Sequence, residues 1–398
     1  MPTPARRSTP AAVATSSVML GASDITDSGV PPRATVRPRS SVTEPGAAGP
    51  HAARTRAPTR AKKRRCMAGG CRRLSYPAMT AHVLLNPAAR GGRNRALAAP
   101  LARHLAEAGV EAAIHETLAP GDAERMAHTF GLGGALVVVA GGDGTVHEAV
   151  NGIVGTEGTL AVLPMGTGND YATALGMDAD LATACRQLAT APHRAIEVGH
   201  VWWTDARGGT HERVAANCLG MGFDAHAAGV AAETKWLGGR AAYLAAVFRT
   251  LWAWRRPTLR VRVRTTGGET EVAYDGPLFL CEVGLGHSVG GGFLITPDAV
   301  LDDGLLDVCL VRHVRTARAL RLLPQTFSGA HVTAPEVTMG RVAALSLAVE
   351  AGAVGIQTDG EVLTLDAVDV QVEVRPGALR VVAPSLRTSV RQTRIATE

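Results

Sequence analysis

From Ala81 onward, short continuous apolar runs alternate with stretches of helical spacing. AHVLLNP (81–87) reads as a buried strand, and residues 94–108 then place Leu97, Leu101 and Leu105 on one helical face. Residues 110–117 (VEAAIHET) predict a second strand, and Gly121 to about Phe130 a second helix. ALVVVA (135–140) is apolar at every position, the pattern of a parallel strand covered on both faces. A helix over 145–153 and the strand TLAVLP (159–164) continue the alternation. Strands joined by helices of this length predict a right-handed β-α-β wind around a parallel sheet. After about residue 197 the period falls to two, in RVRVRT (260–265), EVAYDG (271–276), LFLCEVG (278–284) and VDVQVEV (368–374). These predict antiparallel strands arranged as a sandwich, interrupted by a helix-like stretch from Lys235 to Arg255.

The 398-residue chain divides at about residue 79. Residues 1–78 are rich in Pro, Ala, Ser, Thr and Arg and show neither period. Such a segment cannot bury enough surface to offset its ordering entropy, so a disordered tail is expected. It carries 14 Lys/Arg against three Asp/Glu, a net of +11, in a chain whose total is +6. The other 320 residues hold 27 basic and 32 acidic groups, so the body is mildly acidic. The Lys62–Arg65 cluster reads as a solvated charge run or as an electrostatic tether to anionic lipid or nucleic acid, and the solvated run is the simpler reading. Met79, two residues before the first strand, is an alternative translational start. The body then divides into an α/β domain over 79–197, a strand-rich domain over 198–384 and a short tail over 385–398.

Composition removes several classes. At 46% apolar residues over its whole length the chain is not disordered throughout. No run approaches the ~20 apolar residues of a membrane-spanning helix. No apolar core follows the N-terminal arginines, so a secretory signal does not fit. The six cysteines lack zinc-site spacing and read as reduced thiols of a cytosolic protein.

Candidate chemistry gathers where strands end. Gly141-Gly142-Asp143-Gly144-Thr145 lies between a buried strand and a helix start. Glycines let a ligand approach the backbone, and the free N–H groups of a helix N-terminus favour an anion. Asp143 repels a phosphate by itself but suits Mg²⁺ beside one. The plainer reading is a Gly-rich turn with Asp143 as helix cap. A second loop, Met165-Gly166-Thr167-Gly168-Asn169-Asp170, follows the next strand. Neighbouring strand ends in an open α/β sheet share one crevice, so both loops should face one ligand. Asn86, Arg90 and Arg93 after the first strand make a third wall able to reach phosphates. Further on, Leu301–Asp307 (LDDGLLD) reads as an Asp-Gly turn or an oxygen-rich cation site, and turn chemistry suits the spacing alone. Thr358-Asp359-Gly360-Glu361 reads as a hairpin turn, or as two carboxylates on one side of an extended segment, able to serve an acceptor hydroxyl.

The order NP, GGDGT, LPMGTGND, LGMGFDA, ITPDAVLDDGLLDV, TDGE resembles the bacterial diacylglycerol kinase family of lipid kinases, over about residues 81–384. GGDGT alone is shared with NAD kinases and phosphofructokinases, and the later elements narrow the resemblance to lipid kinases. The resemblance implies a Rossmann-like α/β nucleotide-binding domain followed by an antiparallel β-sandwich, with the active site in the cleft between them. It implies ATP and Mg²⁺ as cofactors, with Asn86, Thr117, Gly142, Asp143, Gly144, Thr145, Val146, His147, Glu148 and Thr167 lining the ATP site. Asp143 and Asp170 would organise Mg²⁺ and its water. Asp303, with the main-chain carbonyls of Val300 and Leu305, would hold a second, structural Mg²⁺. Asp359 and Glu361 would be the catalytic carboxylates, with Glu361 the usual proton acceptor. Glu197 stands where the family carries an Asp ligand, and Arg90 or Arg93 substitutes for a family lysine, since Lys235 is the sole lysine after residue 65.

The expected reaction is in-line phosphoryl transfer from MgATP to a lipid hydroxyl such as that of diacylglycerol. The competing readings are a kinase of NAD, sphingosine or a polyprenol-like alcohol, and a catalytically silent nucleotide-binding protein. A lipid acceptor implies a cytoplasmic protein peripherally associated with membrane, and such kinases often form homodimers. Trp236, Tyr243, Leu244, Phe248, Leu251, Trp252 and Trp254, with Arg240, Arg249, Arg255 and Arg256, form an interfacial element or a core-packing helix with a charged outer face. No nucleic-acid partner is expected.

Overall fold

The computed structural model describes residues 80–233, 239–254 and 256–387. The basic tail, the alternative start at Met79 and residues 388–398 lie outside the described residues. β1 (Ala81–Leu85), β2 (Ala112–Glu116), β3 (Leu136–Gly141) and β4 (Thr159–Pro164) pair in parallel in the order β2-β1-β3-β4. β1, β3 and β4 are buried almost throughout, as their unbroken apolar runs require. The connecting helices are α1 (Ala98–Glu107), α2 (Asp122–Leu132) and α3 (Asp143–Ile153). α4 (Asp170–Ala174) and α5 (Leu181–Thr190) follow β4. α2 packs on α3 and α1 on α5, which divides the helices between the two faces of the sheet. The segment predicted as one helix over 94–108 begins with a 3₁₀ turn, Arg93–Leu97, and only then becomes α1, which buries Leu101 and Leu105.

β5 (His193–Asp205), β6 (Thr210–Ala215) and β7 (Cys218–Gly222) begin the antiparallel half. α6 (Phe223–Glu233) and α7 (Gly239–Ala253) follow, then β8 (Thr258–Arg264) and β9 (Thr270–Gly284). The chain ends through β10 (Leu306–Arg312), α8 (Thr316–Leu322), β11 (Val337–Val342), β12 (Ala344–Ala351), β13 (Val354–Thr358) and β14 (Glu361–Val382).

The sandwich expectation needs correction. β9 pairs with β8 through its first half and with β7 and β10 through its second. Pairing then runs β7-β13-β14-β12-β8 and returns to β9, a closed circuit rather than two separate stacked sheets. Closure follows from two long strands that change partners along their length. β9 merges the two strands predicted at 271–276 and 278–284, and β14 extends far beyond the predicted 368–374. The last residues of β14 leave the circuit, and Val381 pairs in parallel with Leu160 of β4. The C-terminal end of the described chain thus widens the α/β sheet, and β5 pairs antiparallel along β14.

The helix expected over 235–255 is α7 in its described part. Ala246, Val247, Thr250 and Leu251 are buried, whereas Phe248 is 45% and Trp252 76% exposed. Trp254 packs edge-on against Phe223 and His226. One face of α7 thus packs into the core, as the core-packing expectation has it, and the other leaves Phe248 and Trp252 exposed. Nothing is described of Trp236, Arg255 or the side chains of Arg240 and Tyr243.

Candidate active site

In a sheet ordered β2-β1-β3-β4, connections leave in opposite directions from β1 and β3, and a crevice opens at the carboxyl ends of these two strands. Asn86 ends β1 there, and its Nδ2 donates to Thr145 Oγ1 (2.9 Å) in the first turn of α3. Buried Asn94 donates to the Met165 carbonyl at 2.8 Å and pins the third wall to the second loop. The two glycine loops touch through their backbones, since a Cβ on Gly166 would overlap Gly142 Cα. Asn169, at φ +60°, closes the second loop by accepting from Gly166 N–H at 2.7 Å. Thr167 and Gly168 lie exposed at the rim, as do Arg90 and Arg93. Gly141 packs on Thr145, and Thr117 joins the β1 end through its N–H to the Leu85 carbonyl.

Asp143 lies beneath the second loop, accepting from Asn169 N–H at 2.8 Å. A Cβ on Gly168 would stand 2.7 Å from Asp143 Oδ2 and 3.3 Å from Asp170 Oδ2, so two carboxylates converge on one glycine. Burial, and then the Asp170 charge, push the Asp143 carboxyl up to about 6. Two converging carboxylates, with no arginine or lysine ion pair among the described residues, are hard-oxygen donors suited to Mg²⁺. Asp170 also reaches across to the strand-rich half, accepting from Ser288 Oγ (3.1 Å) and Gly291 N–H (2.6 Å).

Asp359 and Gly360 form the two-residue turn between β13 and β14, at φ +53° and +89°. This is the type I′ geometry that Asp-Gly favours. The Asp359 side chain is 5% exposed, and both its oxygens are engaged. Oδ1 accepts from Asn217 N–H (2.8 Å) and Cys218 N–H (3.0 Å). Oδ2 accepts from Ala216 N–H (3.0 Å) and lies 2.9 Å from His147 Nδ1. Asp359 is therefore a clamp between the α3 helix and the start of β7. Glu361 differs: it is exposed, and its Oε1 would stand 2.5 Å from a Cβ on Gly144. Its carboxylate thus lies over the first turn of α3, beside the first glycine loop.

Three expected ATP-site residues are placed elsewhere. His147 is buried against Asp359 and Asn151 rather than facing the loops. Val146 is in the hydrophobic core. Glu148 points to the start of α2, where its Oε2 accepts from Ala123 N–H at 3.2 Å. Their helical positions explain this, because only the first turn of α3 borders the crevice. Glu197, which stands where the family carries an Asp ligand, accepts from Gly304 N–H at 2.5 Å. It belongs with the loop after Leu301, and burial lifts its carboxyl to about 7.

Several site residues had no signal in isolation. Asn217 N–H, Ser288 and Gly291 reach the crevice from the strand-rich half, where only the run Gly290-Gly291-Gly292, all at positive φ, hints at a special loop. Gln357 accepts from Gly360 N–H at 2.7 Å and donates to Asp224 Oδ2 at 2.6 Å. Glu282 lies beside them around Gly220, and burial, then the Asp224 charge, raise its carboxyl well above the usual range.

Comparison with known proteins fits this arrangement. The diacylglycerol kinase catalytic domain matches residues 80–201, and the YegS C-terminal NAD kinase beta sandwich-like domain matches 217–383. A diacylglycerol kinase of Mycobacterium tuberculosis H37Rv is 31% identical over 269 residues, covering 66% of this chain and 83% of the relative. The chain belongs to the diacylglycerol kinase family of lipid kinases. The diacylglycerol kinase of Bacillus subtilis 168 is 30% identical over 63% of this chain and 80% of the relative. A YegS-like lipid kinase of Pseudomonas aeruginosa PAO1 is 30% identical over 70% of this chain and 87% of the relative. Among solved structures, a diacylglycerol kinase of Bacillus anthracis Sterne superposes with a TM-score of 0.55 at 20% identity, over 77% of this chain and 97% of the other. That likeness shares the fold, an α/β catalytic domain followed by a strand-rich domain. Among the described residues, no helix is long and apolar enough to cross a membrane.

Proposed function

We propose that this lipid kinase transfers the γ-phosphoryl group of ATP to the hydroxyl of diacylglycerol or a related lipid, with Glu361 as proton acceptor. The observation that carries the reading is the contrast within one turn. Asp359 has both oxygens committed to three backbone N–H groups and His147, whereas Glu361 presents an exposed carboxylate to the first turn of α3. A general base must reach its proton within hydrogen-bond distance, and only Glu361 of the pair is free to do so.

The glycine loops and the α3 N-terminus receive the phosphates through backbone N–H groups, and Arg90 and Arg93 meet the triphosphate from the rim. Asp143 and Asp170 would hold Mg²⁺, which when bound neutralises charge on the transferring group. The Asp359 clamp orients the turn, so that Glu361 accepts the acceptor's hydroxyl proton as the oxygen attacks. Phe248 and Trp252 on α7 support an apolar surface for the acyl chains at a membrane. A kinase of NAD is the second reading, favoured by the NAD-kinase-like description of the C-terminal domain.

The test is phosphorylation with radiolabelled ATP of diacylglycerol, sphingosine, a polyprenol and NAD. Label in the organic-soluble diacylglycerol product is expected. Label only in NAD would establish the second reading.

A further inference from the structure

The loop after Leu301 is where the family resemblance implies a second, structural cation held by Asp303 and the carbonyls of Val300 and Leu305. The residues present do not fit that ion. Asp303 Oδ1 accepts from Leu305 N–H at 3.1 Å, and Oδ2 pairs with the guanidinium of Arg341. Arg341 stands directly opposite Asp307 in the β10–β11 ladder, so the two side chains share one face. Its Nε lies 3.4 Å from Asp307 Oδ2, and both side chains are under 10% exposed. Glu197 fixes the same loop from β5, through Gly304 N–H and through its own N–H to the Leu301 carbonyl at 3.0 Å.

We infer that Arg341 is the resident cation of this loop and takes the place of the second divalent ion. A guanidinium is planar, permanently charged and weakly hydrated, so it can bridge two carboxylates in a nearly dry pocket. A divalent ion at Asp303 would have to displace the guanidinium from Asp303 Oδ2. The loop is thereby held to β5 and β11 by protein groups alone, and its order does not depend on metal supply. The cation of this loop is independent of which acceptor the enzyme phosphorylates.

The experiment compares melting temperatures of the full chain in EDTA and in millimolar MgCl₂ or CaCl₂. Any shift from the Asp143–Asp170 pair is common to all variants and cancels. Wild type and Asp303→Asn should show the same metal-induced shift. Arg341→Met should melt about 5–10 °C lower in EDTA, since a buried pair loses one partner. It should then gain an extra metal-induced shift of several degrees, which Arg341→Met/Asp303→Asn lacks. Arg341→Lys, which keeps the charge and is easier to fold, should gain no extra shift. A wild-type shift that Asp303→Asn removes would overturn the inference, and so would an Arg341→Met protein that folds without gaining metal dependence.

Discussion

Substituting Gly144 by alanine tests the site at its narrowest contact. The added methyl would stand 2.5 Å from Glu361 Oε1, so the carboxylate must retreat by roughly 0.9 Å to reach 3.4 Å, where ordinary contact begins. Glu361 is exposed and can move, so the fold should tolerate the change. Gly144 is the second residue of α3 and its φ is not left-handed, so alanine should leave stability unchanged or raise it by up to ~1 kcal/mol. A displacement of about 1 Å at a reacting group costs up to ~100-fold in rate. The expected result is a kcat lower by about 10- to 100-fold at an undiminished melting temperature, read by radiolabel transfer and thermal unfolding. The methyl also faces the nucleotide, so the double variant Gly144→Ala/Glu361→Gln separates the two effects. If the methyl acts through Glu361, the double variant is no slower than Glu361→Gln alone, itself down by ~10²–10⁴-fold. Full activity of Gly144→Ala, or additive losses in the double variant, would refute the reasoning.

Other consequences follow from the same geometry. Asp359→Asn places an amide where four donors converge, and should lower stability in urea by about 2–4 kcal/mol while also slowing turnover. A melt indistinguishable from wild type would remove the clamp from the account. The Asp143 carboxyl is pushed up to about 6 in the folded chain, against an ordinary value of 3.8. The folded state therefore keeps a proton that the unfolded chain has released between about pH 4 and pH 6. In EDTA stability should fall as pH rises through that window and level off above it, a slope that Asp143→Asn should flatten. Phe248→Ser/Trp252→Ser should weaken cosedimentation with diacylglycerol-containing vesicles, with the melting temperature unchanged, because both side chains are already exposed. Undiminished vesicle binding would assign the membrane contact to another face.

The parallel strands, the two glycine loops and the Asp-Gly turn were legible in the chain itself. Their signals are local: an unbroken apolar run, glycines at a strand end, a turn dipeptide that accepts positive φ. The periodicity also separated the α/β half from the antiparallel half near residue 197. It could not show the strands closing into one circuit, because β9 and β14 change partners midway, and a period of two is the same against any neighbour. Nor could it divide labour within Thr358–Glu361. Asp359 and Glu361 look equivalent at i and i+2, yet the segment leading into β7 brings three backbone N–H groups onto one of them and leaves the other open. His147 reads as a pocket residue beside a phosphate loop, until the hairpin 212 residues away lays Asp359 against its ring. Arg341 carries no motif at all, and becomes a cation for Asp303 and Asp307 only through strand register. Composition and period determine which segments become strands, helices and turns, because those depend on near neighbours. Which carboxylates are clamped, neutralised or left free is decided by contacts between distant segments, and tertiary packing alone creates those contacts.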